Sequence, residues 1–192
     1  MAQEVPPVRS RPWLGGGTFE VLALGQIHHL PTYRSLTFLF EQVLPRLNAE
    51  TANRLRLNIV GPIIGGPRCA HLQEMGARFP QVMFFGRVAD LPSVYGSNDL
   101  QVVASTEATG LRTRIVESFA AGLPVLTSSR AAEGIEGLRD GENVVVADGP
   151  ERFAAALERL GSEAGQLETL SKSGLSLDFT ARGTEGSWLR PS

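Results

Sequence analysis

One cysteine, Cys69, is all that the 192 residues contain. A single thiol closes no internal disulfide, and with no CxxC pair or histidine-rich companion it indicates no zinc site. A stapled secreted fold is therefore disfavoured, and a reducing cytoplasm is the expected compartment. An excess of basic charge is also missing. Eighteen Lys and Arg stand against twenty Asp and Glu, for a net charge of −2, far from the positive footprint that phosphate-backbone binding needs, so nucleic acid is not an expected partner. Lysine itself is nearly absent: every cation but Lys172 is an arginine. Long apolar runs are lacking as well. The first twenty residues carry prolines, charges and the run Gly15-Gly16-Gly17 where a signal peptide would be apolar, and no later stretch approaches membrane-spanning length. The chain reads as soluble, with membrane contact limited to its periphery.

What is present is a large apolar fraction, 42%, enough for a sizeable core in one domain. Residues 1–18 hold three prolines and the glycine run, a composition that buries little surface and reads as a flexible linker or tail. From residue 19 onward, short apolar runs alternate with amphipathic stretches. The runs FEVLALG (19–25), LRLNIVG (55–61), VMFFG (82–86), LQVVAS (100–105), LPVLTSS (123–129) and NVVVAD (143–148) are strand-like and bounded by Gly, Asp, Asn or Pro. Between them, SLTFLFEQVLPRLN places Leu36, Leu39, Phe40, Val43, Leu44 and Leu47 on one helical face, and RTRIVESFAAG and ERFAAALERL repeat the pattern, the former stopping at Gly122. A last helix carrying Phe179 and Trp188 is expected to pack on the core. Strands apolar on both faces, alternating with helices, predict a doubly wound, Rossmann-like α/β domain over 19–192 with a parallel sheet.

In such sheets ligands bind beyond the carboxyl ends of the strands, so the loops after the strands hold the chemistry. The stretch EATGLRTRIVESFAAGLPVLTSS (107–129) is the most informative of them. A Gly-containing turn at 106–110 leads into a helix near Leu111. Free amides at a helix start, with Arg112 and Arg114 nearby, suit a diphosphate. Glu117, one turn further, suits vicinal hydroxyls such as those of a ribose. The bland alternative is a solvated helix face with an Arg114–Glu117 pair three residues apart. The loop after the first strand, GQIHHLP, supplies His28 and His29; if the loop is extended, these adjacent residues point to opposite sides and cannot share one metal. That loop has no GxGxxG fingerprint, which argues against an NAD-dependent enzyme.

Taken together, VLALGQIHHLPTYRSLTFLFEQVLPRL, LRLNIVGP, VMFFGRVADLPSVYGSNDLQVVAS, TGLRTRIVESFAAGLPVLTSSRAAEGI and GENVVVADGPERFAAALERL resemble the nucleotide-sugar-binding C-terminal half of GT-B glycosyltransferases. Glycosyltransferase family 4, whose members are retaining enzymes, is the family they resemble most. The resemblance implies a nucleoside-diphosphate sugar as donor substrate, a hexosyl or deoxyhexosyl group in transit, carbohydrate biosynthesis as the setting and no metal cofactor, arginines standing where a divalent ion would. Residue by residue, Glu117 matches the acid that meets the ribose, and Thr109, Gly110 and Leu111 match the turn whose amides meet phosphate. Arg87 and Val88 match the loop bordering the nucleobase. Gly25, Gln26 and His28 match the loop near the diphosphate, and Glu133 lies in a loop that sits beside the sugar in relatives. Arg112 and Arg114 take the role of stabilising the leaving diphosphate.

The departures carry meaning too. Thr109 stands where many members have the first glutamate of a pair, and Gln26 stands where many have arginine. The family's second α/β half, which holds the acceptor, has no counterpart in these 192 residues. A partner chain or further domain is expected to supply it, and this chain alone is expected to be inactive. The alternative from another class is a nucleotide-binding or regulatory module without chemistry.

Overall fold

The computed structural model describes residues 9–104 and 112–177. Six strands, β1 (Phe19–Leu24), β2 (Leu55–Val60), β3 (Val82–Gly86), β4 (Leu100–Val103), β5 (Val125–Thr127) and β6 (Val145–Val146), form one sheet in the order β3-β2-β1-β4-β5-β6. Every pairing is parallel. Each apolar run foreseen from the sequence contains one of these strands. The helices are α1 (Leu30–Phe38), α2 (Ala49–Arg54), α3 (Pro67–Gly76), α4 (Leu91–Ser97), α5 (Arg112–Ala120), α6 (Ser129–Ala132), α7 (Pro150–Leu160) and α8 (Ala164–Leu175).

Alternation along β1 shows why both faces are covered. Val21 and Ala23 join one core with Leu36, Phe40, Leu72, Phe153 and Leu157 from α1, its continuation, α3 and α7. Leu22 and Leu24 point the other way, into a cluster with Val60, Tyr95 and Leu123. A third cluster, Val103, Ile115, Phe119, Val125 and Val144, seats α5 beside the far strands. A strand buried on both sides has no polar face to show, which is the signature of a parallel sheet between two helical layers.

The helix expected over 35–48 is less regular than its periodicity implies. α1 starts earlier, at Leu30, widens into a π-type turn over Leu39–Val43 and tightens into a 3-10 turn over Leu44–Arg46. Pro45 accounts for the end: it has no N–H to give to the carbonyl four residues back, and its ring crowds that carbonyl. At α5 the sequence signal holds, with Gly122 at φ 69° just beyond the helix and its N–H donating to the Phe119 carbonyl at 3.0 Å. An αL position after the last turn is what glycine provides at lowest cost.

The segment ahead of β1 is docked rather than trailing. Arg9 and Arg11 reach the carboxylate of Asp99, whose side chain is fully buried at the amino end of β4. Ser10 N–H donates to the Gly96 carbonyl at 3.1 Å. Its described residues are held there by ion pairing to a buried acid and by Trp13 and Leu14, which pack partly buried against the main core.

Candidate functional site

The strand order reverses between β1 and β4, which are neighbours in the sheet, so the loops after these two strands leave side by side at its carboxyl edge. This is the switch point at which doubly wound sheets bind ligands. On one side lies the loop after β1. Gly25 is buried, Gln26 exposed and His28 half-buried. The His28 Nδ1 atom is buried with no hydrogen-bond partner, an uncommon state for such a nitrogen and one that a ligand reaching this loop would relieve. The His28 carbonyl accepts from Arg68 Nη1 at 3.2 Å, which ties the loop to the start of α3.

On the other side, α5 begins at Arg112. Thr109, Gly110, Leu111 and the Arg112 side chain lie outside the described residues. Arg114 and Glu117 do not: Arg114 Nη1 donates to Glu117 Oε2 at 2.9 Å, so the i,i+3 pair weighed from the sequence is formed. The pair is half-open to solvent, with 27% and 41% of the two side chains exposed. Tyr95 Oη, from α4, donates to the same Oε2 at 3.3 Å. Burial, followed by the charge of Glu117, pushes the Tyr95 pKa up, so the phenol stays protonated and serves as donor.

Beneath this pair, α5 is bolted to β4 by a fully buried polar contact. Ser118 Oγ lies 2.6 Å from Gln101 Oε1 and 2.8 Å from the Arg114 carbonyl. Sequence reasoning passed over both residues. Gln101 is a lone polar side chain inside an apolar strand, and a buried amide demands a partner; that was the available signal.

The remaining candidates are more scattered. Val88 packs against the cluster that contains Tyr95, and Arg87 beside it is exposed. Glu133 is exposed at the end of α6, paired with Arg130 at 2.9 Å. Among the described residues no group of three or more His, Cys, Asp or Glu side chains converges, and no helix is long and apolar enough to cross a membrane. A polar groove between α2 and α7, lined by Glu50, Arg54, Glu158 and Arg159, lies away from the carboxyl edge.

A doubly wound sheet with its switch point between β1 and β4 is a Rossmann-like architecture, and its likeness to known proteins places it as the C-terminal half of a GT-B fold. The family model described as glycosyl transferases group 1 matches residues 18–163, and the chain belongs to that family. No curated protein matches it. Among solved structures it is similar to the C-terminal domain of LpcC, a glycosyl transferase group 1 family protein from Francisella tularensis. That match has a TM-score of 0.63 and 19% identity, covering 86% of this chain and 84% of the other. It is also similar to Anabaena HepE in complex with UDP and glucose, with a TM-score of 0.67, 18% identity and 82% of this chain covered. Sucrose-phosphate synthase from Thermosynechococcus elongatus gives a TM-score of 0.64 at 20% identity, with 82% of this chain covered. The chain spans 42% of the length of HepE and 40% of that of the synthase.

Proposed function

We propose that this chain is the donor-binding half of a retaining glycosyltransferase and holds a nucleoside-diphosphate sugar across the carboxyl edge of its sheet. The observation that carries the reading is the state of Glu117. It stands on the helix after β4, beside the switch point, with one carboxylate oxygen engaged by Arg114 and Tyr95 and the side chain still 41% exposed. A carboxylate held in this way is prepared to accept from vicinal hydroxyls. The amides of Thr109, Gly110 and Leu111, with Arg112 and Arg114, take the diphosphate. Gly25, Gln26 and His28 border it from the β1 loop, Arg87 and Val88 border the base, and Glu133 borders the sugar. Binding of UDP and glucose by HepE, a protein of similar fold, supports a sugar nucleotide as ligand.

Negative charge grows on the diphosphate as the glycosidic bond breaks. Amides and guanidinium groups of the loop after β4 and the start of α5 would lower that barrier, with arginines in the role a metal ion would otherwise take. A second α/β half, in the same polypeptide or a partner chain, places the acceptor and excludes water, so transfer by these 192 residues alone is not expected. The cytoplasm is the proposed compartment. Thr109, in place of an acid, favours the second reading, a module that binds nucleotide without chemistry; transfer on reconstitution with an acceptor half would exclude it.

Calorimetric titration with UDP-, GDP-, ADP- and dTDP-sugars tests the reading, and no binding across the panel overturns it. Glu117→Ala is expected to weaken the best ligand by about 1–3 kcal/mol, the range for a lost hydrogen bond to a charged group. Arg114→Ala should weaken the nucleoside diphosphate more than the bare nucleoside, which loses only what the arginine's hold on Glu117 contributes; equal losses for both would count against a diphosphate contact by Arg114.

A further inference from the structure

Among the described residues, Glu117 is gripped through one oxygen. Oε2 accepts from Arg114 at 2.9 Å and from Tyr95 at 3.3 Å, while among the described residues no donor reaches Oε1. The two donors do different things. Arg114 sits on the same helix, one turn back, and moves with Glu117. Tyr95 belongs to α4, so its hydroxyl references the carboxylate to a separate part of the fold.

Tyr95 is itself firmly placed. Its ring is 7% exposed, packed with Leu22, Leu24, Val60 and Leu123. The end of its helix is fixed by Asn98, whose Nδ2 donates to the Val94 carbonyl at 2.7 Å and whose Oδ1 accepts from Asn58 at 2.8 Å. At 3.3 Å the contact is longer than the usual O–H···O distance of about 2.7–2.8 Å.

We propose that Tyr95 is a positioning residue for ribose recognition: by holding Oε2 from α4 it turns the other carboxylate oxygen, Oε1 of Glu117, toward the ligand's hydroxyls. The proposal rests on the reading of Glu117 as ribose acceptor given above. A tyrosine used only for packing would be replaced by phenylalanine without consequence, and Val88, on the loop assigned to the base, packs on the same cluster. Ring and hydroxyl thus have separable jobs.

The test is titration of the full chain with UDP, GDP and ADP, each beside its 2′,3′-dideoxy counterpart, for wild type, Tyr95→Phe and Glu117→Ala. Wild type should prefer the ribonucleotide, and Glu117→Ala should abolish that preference. Tyr95→Phe should keep the thermal midpoint and the dideoxy affinity while its preference falls about three- to tenfold, the scale of one modest hydrogen bond. If Tyr95→Phe retains the full preference while Glu117→Ala loses it, the tyrosine inference is overturned and the ribose reading stands. Equal weakening of both nucleotides by Tyr95→Phe also overturns it, because only the pocket would have changed. If Glu117→Ala keeps the preference, or wild type binds none of the nucleotides, the ribose reading falls and the inference falls with it.

Discussion

Gly61→Ala is expected to destabilise the chain by more than about 3 kcal/mol, combining a core overpacking with a left-handed backbone angle that alanine tolerates badly. Gly61 has φ 152°, and a Cβ there would lie 1.7 Å from the carbonyl oxygen of Gly25 and 2.7 Å from its carbon. Both atoms are backbone, so no rotamer change relieves the clash. Nor can the backbone slide easily: Gly25 N–H donates to Val60 at 3.0 Å and Gly61 N–H to Gly86 at 2.8 Å, lacing the ends of β1, β2 and β3 together. The strand ends must separate, and the loop carrying Gln26 and His28 must move with them. Chemical denaturation followed by circular dichroism measures the loss, and nucleotide titration should show weaker binding in whatever fraction folds. Gly65→Ala is the control, since nothing lies within 4 Å of a Cβ there. It should stay within about 0.5 kcal/mol of wild type, as isolated surface changes do. A Gly61→Ala midpoint as close to wild type as that of Gly65→Ala would show that the rim yields freely.

The contrast between these glycines marks how far sequence reading reaches. Short apolar runs such as FEVLAL and LRLNIV declare strands because most of their positions are buried, with Glu20, Arg56 and Asn58 the half-buried exceptions. The order of strands and helices then leads to a doubly wound sheet, and the sheet leads to its carboxyl edge as the place for Arg114 and Glu117. Long-range pairings between polar residues leave no such trace. Gln101 and Ser118, seventeen residues apart, meet at 2.6 Å only because α5 lies over β4. Tyr95 packs in a core cluster, yet its hydroxyl reaches Glu117, on another helix, and no spacing rule announces that. The widening of α1 before Pro45 was within reach of the sequence, since proline removes a donor wherever it stands in a helix.

Residues 9–17 are the sharpest case, and Arg9→Ala is the change that exposes it. Asp99 has a fully buried side chain. It accepts from Leu14 N–H at 3.2 Å and Glu20 N–H at 2.9 Å, and pairs with Arg9 directly and with Arg11 at 3.6 Å. The Arg9 guanidinium also stacks on Trp13, 3.4 Å from the ring centroid, and its Nη1 donates to the Asn98 carbonyl at 2.7 Å. Burial draws the Arg9 pKa down while Asp99 opposes the shift; a guanidinium nonetheless remains charged at any working pH. Removing it strands a buried carboxylate with one more distant cation, and breaking a buried pair from one side costs about 3–5 kcal/mol. Denaturation of Arg9→Ala should show that loss. Adding Asp99→Asn should restore part of it, because the uncompensated charge disappears while an oxygen remains to accept from the amides. Arg9→Lys should fall between, keeping the charge but not the fork that serves Asp99 and Asn98 at once. If Arg9→Ala costs less than about 1 kcal/mol, the range of an exposed pair, water reaches Asp99 and the segment ahead of β1 is only draped on the sheet.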